Sequence, residues 1–156
     1  LHVSHAGIYG FSRVLALDLS APALELAAQN ADRLGAEVEF LLADGPEGQP
    51  GRFDLVLSNP PYVTPEEAPD LAPEVREHEP ALALFAPPGD PDHWLRRLID
   101  FSVQRLEPGG RLFCELGAGQ GRRALQLAES AGLGALLHAD LARIPRVLEV
   151  QAEPVA

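Results

Sequence analysis

Short apolar runs alternating with helical patterns predict an α/β fold for this 156-residue chain, built on a doubly wound sheet. Residues 13–18, 37–42, 53–58 and 111–116 have the length and apolar character of buried parallel strands. Residues 20–34, 91–106 and 120–131 repeat apolar side chains at helical spacing. The first three strands each run into a polar residue: Asp18, Asp44 and Asn59. Open α/β sheets bind their ligands at strand C-termini, so this row is where function is expected.

The elements follow in order. The strand 13–18 ends in Asp18. Ser20 can cap the next helix, Pro22 suits its first turn, Leu24, Ala27, Ala28, Ala31 and Leu34 recur along it, and Gly35 stops it. The strand 37–42 ends at Ala43-Asp44-Gly45, and a turn-rich stretch, 46–51, leads to the strand 53–58. Residues 64–91 are rich in Pro and acids without a period. They predict a long loop with one or two helical turns, either a flexible insertion or a lid beside Tyr62. A helix over 91–106 carries Trp94, Leu95, Leu98, Ile99 and Val103, and Glu107-Pro108-Gly109-Gly110 reads as a tight turn. A strand over 111–116 and a helix over 120–131, stopped by Gly132, come next. The last two strands, 136–141 and 147–151, form a candidate hairpin. No internal repeat or low-complexity tract interrupts the pattern.

Composition narrows the function. The length suits one domain, and an apolar fraction of 46% is ordinary for a globular protein. A formal net charge of −11 argues against a broad phosphate-binding surface, which makes nucleic acid an improbable partner. All twelve basic residues are Arg. Cys114 stands alone, so neither a disulfide framework nor a zinc cluster is expected, and a reducing cytoplasm fits. His2 and His5 lack a third ligand, and no metal site is expected. No apolar run is long enough to span a bilayer, and no signal-peptide pattern is present.

Asn59-Pro60-Pro61-Tyr62, directly after the strand 53–58, is the most specific feature. The Asn59 side-chain oxygen can accept from a substrate –NH2 group. Pro60 has a fixed φ and Pro61 biases it towards an extended conformation, so the Pro60 carbonyl is a second fixed acceptor. Tyr62 offers a flat face to a planar amide or base. Two acceptors and a platform can hold a planar nitrogen towards an incoming electrophile.

This tetrapeptide after an apolar strand resembles that of the amino-group methyltransferases that use S-adenosylmethionine (SAM). The rest of the chain is similar to the HemK-type glutamine N5-methyltransferases of peptide-chain release factors. The resemblance rests on Asp18, Ala43-Asp44, the run Phe53 to Val63, Glu79-Pro80-Ala81-Leu82, Leu106 to Gly110, Glu115-Leu116-Gly117 with Gln120-Gly121, and Asp140-Leu141-Ala142 with Arg146-Val147. It covers roughly residues 13–151. It implies a Rossmann-like SAM-dependent methyltransferase sheet, SAM as cofactor, and a release factor as protein substrate. It implies cofactor contacts at Asp18, Asp44, Gly45 and Asn59, with Asp18 on the ribose hydroxyls and Asp44 on the adenine amino group. It implies that Asn59, Pro60, Pro61 and Tyr62 position the target amide.

The family places a strand and a glycine-rich SAM loop before Asp18, and residues 1–12 carry neither. The expectation is an irregular segment over 1–12 followed by a partial methyltransferase domain over 13–156. With that central strand absent, the strands 13–18 and 53–58 lose the partner between them, which predicts a rearranged or marginally stable sheet. A fragment or a mis-assigned start, silent in catalysis, is one alternative; an adenine N6 methyltransferase is another. Glu115-Leu116-Gly117-Ala118-Gly119-Gln120-Gly121 also fits a SAM loop, with Asp140 as its ribose acid, in a permuted order. That order leaves Asp18 and Asp44 without a role.

Overall fold

The computed structural model describes residues 13–152. The segment 1–12, with His2 and His5, lies outside them. The chain divides into two compact units, Leu1–Gln49 and Pro50–Ala156.

The first unit holds strand β1 (Leu15–Asp18), helix α1 (Ala21–Leu34) and strand β2 (Glu39–Leu42). The two strands are parallel, with Asp18 opposite Leu42. Ser20 caps α1 by accepting from Ala23 N at 3.3 Å. Pro22 lies in the first turn, where a missing N–H costs nothing. Gly35 ends the helix at φ 63°, a left-handed conformation that a side chain would strain. Leu24, Ala27 and Ala31 form the buried face of α1, which packs on β1 and β2.

The second unit begins with β3 (Phe53–Ser58). The Pro- and acid-rich stretch that follows is more ordered than expected. It folds into a 3-10 helix (Pro65–Asp70) and the short helices α2 (Pro73–His78) and α3 (Ala81–Leu84). Its base is closed by a parallel bridge between Val63 and Phe85, with Val63 N donating to Leu84 O at 3.0 Å and Ala86 N to Val63 O at 2.9 Å. Helix α4 (His93–Arg105), strand β4 (Leu106–Glu115), helix α5 (Gly121–Ser130) and strands β5 (Gly134–Ala139) and β6 (Pro145–Gln151) complete it. The sheet runs β3-β4-β6-β5. β3 and β4 are parallel, and the β5–β6 hairpin joins β4 antiparallel through β6.

The expected turn at residues 107–110 lies inside β4. Phe53 pairs with Leu106 but Leu55 with Arg111, so the residues between bulge out of the ladder. Gly109 sits at φ 80° and donates to Ala152 O at 3.1 Å, and Ala152 N returns a bond to Gly110 O at 3.1 Å. The strand replaces the expected tight turn because residues 109 and 110 pair with the distant Ala152, a contact no local pattern carries.

Leu112, Cys114, Leu148 and Val150 are fully buried on one sheet face. They form the core with Leu95, Leu98 and Ile99 of α4 and Ala124 and Ala128 of α5. On the opposite face Leu57 and Leu136 are exposed. There Glu149 is held between Arg111 Nη1 at 3.2 Å and His138 Nε2 at 2.6 Å.

The two strands expected to lose a shared partner belong to separate sheets. β1 pairs with β2, and β3 is an edge strand that pairs with β4.

Candidate functional site

In the first unit, Asp18 and Asp44 lie at the same end of the two parallel strands. Ala43 N donates to Asp18 O at 3.0 Å, which places the chain entering Asp44 beside the end of β1. Asp18 Oδ1 accepts from Ser20 N at 2.8 Å, fixing the carboxylate where α1 begins. A carboxylate carries acceptor capacity beyond one such bond. Asp44 is exposed, and Gly45 follows at φ 99°, so the chain turns away sharply behind it. Two carboxylates at adjacent strand ends suit the hydroxyl and amino donors of a nucleoside.

In the second unit, Asn59 follows the last residue of β3. Ser58 is opposite Cys114, so the parallel register brings Asn59 to the strand end that β4 finishes with Glu115. Asn59 is exposed and Pro60, Pro61 and Tyr62 are half-buried. The Tyr62 hydroxyl donates to Glu115 Oε1 at 3.1 Å. Burial pushes the Tyr62 phenol above its ordinary pKa; the Glu115 carboxylate adds to the rise and Arg146 opposes it.

The glycine-rich stretch 115–121 lies under Tyr62. A Cβ on Gly117 would fall 2.9 Å from Tyr62 Cδ2, so the ring rests against the Gly117 backbone. Gln120 Oε1 accepts from Gly117 N at 2.7 Å. Gln120 Nε2 donates to Pro91 O at 3.0 Å and Asp92 Oδ1 at 3.2 Å. Arg123 binds the same Asp92 through Nε at 2.8 Å and Nη2 at 3.1 Å. A Cβ on Gly121 would fall 3.1 Å from both Leu137 Cδ1 and Pro145 Cβ, so this glycine permits close packing of α5 on the hairpin. Asp140 Oδ1 accepts from Ala142 N at 2.8 Å and Ile144 N at 2.9 Å, which shapes the hairpin turn. Each feature of the permuted SAM-loop reading thus has a local structural use. The Gly117 N–H, which a phosphate or carboxylate ligand would need, is already bonded.

Asp18, Asp44 and the tetrapeptide, the site residues expected from the sequence, each lie at or just after a strand end. The sequence does not show that Glu115 and Gln120, or Asp92, support Tyr62. In the sequence Glu115 and Gln120 stand only in the family pattern and the glycine-rich stretch, and the register that puts Glu115 beside Asn59 is not written in either strand. Among the described residues no group of three His, Cys, Asp or Glu side chains could hold a metal ion, and no helix is long and apolar enough to cross a membrane.

Residues 4–82 match the family described as "Methyltransferase small domain". A release factor glutamine methyltransferase from Cereibacter sphaeroides is 48% identical over 121 residues, which is 76% of this chain and 43% of that protein. The chain spans about half the length, or less, of the curated relatives it matches. Among solved structures, a ribosomal protein L11 methylase from Lactobacillus delbrueckii subsp. bulgaricus superposes with a TM-score of 0.66 at 18% identity, over 95% of this chain and 62% of its own. A Streptococcus mutans protein solved in complex with SAH superposes with a TM-score of 0.57 at 18% identity, over 89% of this chain and 75% of its own. At such identities the likeness is one of fold.

Proposed function

From the premise that the chain belongs to the methyltransferase small domain family, we propose that it binds SAM and transfers its methyl group to the side-chain amide of a glutamine in a peptide-chain release factor. The observation that carries this reading is the end of β3. A rigid Asn-Pro-Pro-Tyr leaves the strand there with Tyr62 tied to Glu115. The release-factor names of the relatives support the substrate. The net charge of −11 weighs against the adenine N6 alternative, because a nucleic-acid backbone would be repelled. The reading places the work in the cytoplasm.

The residues present fit the cofactor. Asp18 would accept from the ribose hydroxyls, Asp44 would accept from the adenine amino group, and Gly45 would let the chain clear the nucleoside. What SAM supplies when bound is an electrophilic methyl for in-line displacement. Asn59 Oδ1 and the Pro60 carbonyl would accept the two N–H groups of the target amide and aim its nitrogen. Pro61 would keep the Pro60 carbonyl in place, and Tyr62 would pack on the amide plane. The N–CH3 bond would form as the S–CH3 bond breaks, and, since no general base stands out in the sequence, the amide proton would leave to solvent water. Positioning alone can supply roughly 7–11 kcal/mol of a barrier in favourable cases.

The test is transfer from methyl-labelled SAM to a purified release factor, with the modified residue located by mass spectrometry. The expected result is one added methyl on a glutamine amide. Replacing Asn59 by Ala is expected to reduce transfer by on the order of a hundredfold while SAH binding, read by calorimetric titration, stays largely intact, since Asp18 and Asp44 remain. Full turnover by Asn59→Ala would remove the role given to Asn59.

A further inference from the structure

Tyr62 is more tightly held than a stacking side chain needs to be. Its hydroxyl is bonded to Glu115 at the end of β4. Its ring lies on Gly117, where a side chain would contact Cδ2 at 2.9 Å and Cγ at 3.4 Å. Gly117 has no positive φ, so its conformation would admit any residue. The space taken by the ring, and next to it by Gln120 Oε1 at 3.1 Å, is what calls for glycine there. Gly117 is itself fixed, because its N–H is bonded to the buried Gln120, which is bonded in turn to Pro91 and Asp92. The next residue, Val63, is pinned by the bridge to Phe85. Ring and hydroxyl are thus anchored by the segment 115–117, and the backbone next to them by Phe85.

We propose that Glu115 and Gly117 are positioning residues for Tyr62: the carboxylate fixes the phenol, the absent side chain leaves room for the ring, and together they set the platform on which the target amide lies. The inference rests on the amide-methylation reading for its effect on turnover. The tether itself does not depend on that reading. An aromatic platform fixed before substrate arrives loses little freedom on binding and holds the nitrogen in one orientation, which is where positioning gains its rate.

A double-mutant cycle with the full chain, labelled SAM and a release factor tests the coupling. Gly117→Ala is expected to lower kcat about tenfold or more with SAH affinity unchanged. In a Tyr62→Ala background the same change is expected to cost several-fold less than in the parent, the remainder coming from its contact with Gln120 Oε1 at 3.1 Å. Equal losses in both backgrounds would overturn the proposal. A second measurement needs no substrate. The alkaline titration of Tyr62 is followed by tyrosinate absorbance, with Tyr62→Phe as the reference. A carboxylate beside a phenol opposes its ionisation, so Glu115→Gln is expected to move the Tyr62 titration to lower pH. An unmoved titration would mean that Glu115 does not hold Tyr62. If the parent chain methylates nothing, the proposed function fails by itself, and the titration still decides whether the tether exists.

Discussion

Cys114 shows how one position can be chemically silent beside residues that carry the site. It lies opposite Ser58, is fully buried, and directs its thiol at the carbonyl of Glu115 at 3.3 Å. Burial pushes this thiol up to about 12, and the Glu115 carboxylate adds to the rise. The reactive form is the thiolate, which at pH 8 amounts to roughly one part in ten thousand for such a group. The folded chain is therefore expected to resist Ellman's reagent at pH 8 and to react at once in guanidinium. Rapid labelling of the native chain would mean that the core around β4 opens easily. The sequence isolates Cys114 as a lone cysteine but does not reveal its depth. The same holds for the site. Asn59, Pro60, Pro61 and Tyr62 are contiguous, so their pattern can be read, and Asp18 and Asp44 each follow an apolar run. Glu115 lies 53 residues from Tyr62, and only the β3–β4 register joins them.

At the scale of elements, β3 depends on β4. It is the edge of its sheet, and its first residues are offset by the bulge at residues 107–110. Gly110 is what lets that bulge close. A Cβ there would fall 2.8 Å from Glu107 O and 2.8 Å from Phe53 O. Both are backbone atoms that cannot swing aside. Gly110→Ala is expected to cost about 1–3 kcal/mol, the range of an overpacked site, read as a shift in urea midpoint. Because the strain falls on Phe53, it should also loosen β3 and lower methyl transfer. An unshifted midpoint would show that the bulge relaxes freely. This element also marks the limit of sequence reading. Strand 53–58, helix α1 with its Ser20 and Gly35 caps, and the closing hairpin follow from local pattern. The bulge does not, because its pairing with Ala152 joins distant residues. Nor do the short helices over 65–84, whose Pro-rich stretch has no period and whose base is closed by Val63 and Phe85.

For the molecule as a whole, the two units differ in what they bury. The second has a core of large side chains, with Leu106, Leu112, Leu116, Leu148 and Val150 almost wholly removed from water. The buried apolar side chains of the first, among the described residues, are Leu24, Ala27, Ala31 and Pro46, with a two-stranded sheet. A buried Leu contributes about 1.5–3 kcal/mol and an alanine far less, while each ordered backbone residue costs about 1–2 kcal/mol of entropy. A two-stranded pair is marginal without more cover. The first unit is therefore expected to open at lower denaturant than the second. Hydrogen exchange with mass spectrometry across a urea series checks this: amides of α1 and β2 should lose protection before those of β4, β6 and α5. Loss of protection at one common urea concentration would mean that the units unfold together. SAH then links stability to function. If Asp18 and Asp44 hold the nucleoside, SAH at a hundred times its Kd should stabilise the first unit by about 2.7 kcal/mol, with Asp18→Ala removing most of the gain. Protection that rises only in the second unit would move the cofactor contacts away from Asp18 and Asp44 and reopen the role of the glycines at 117–121.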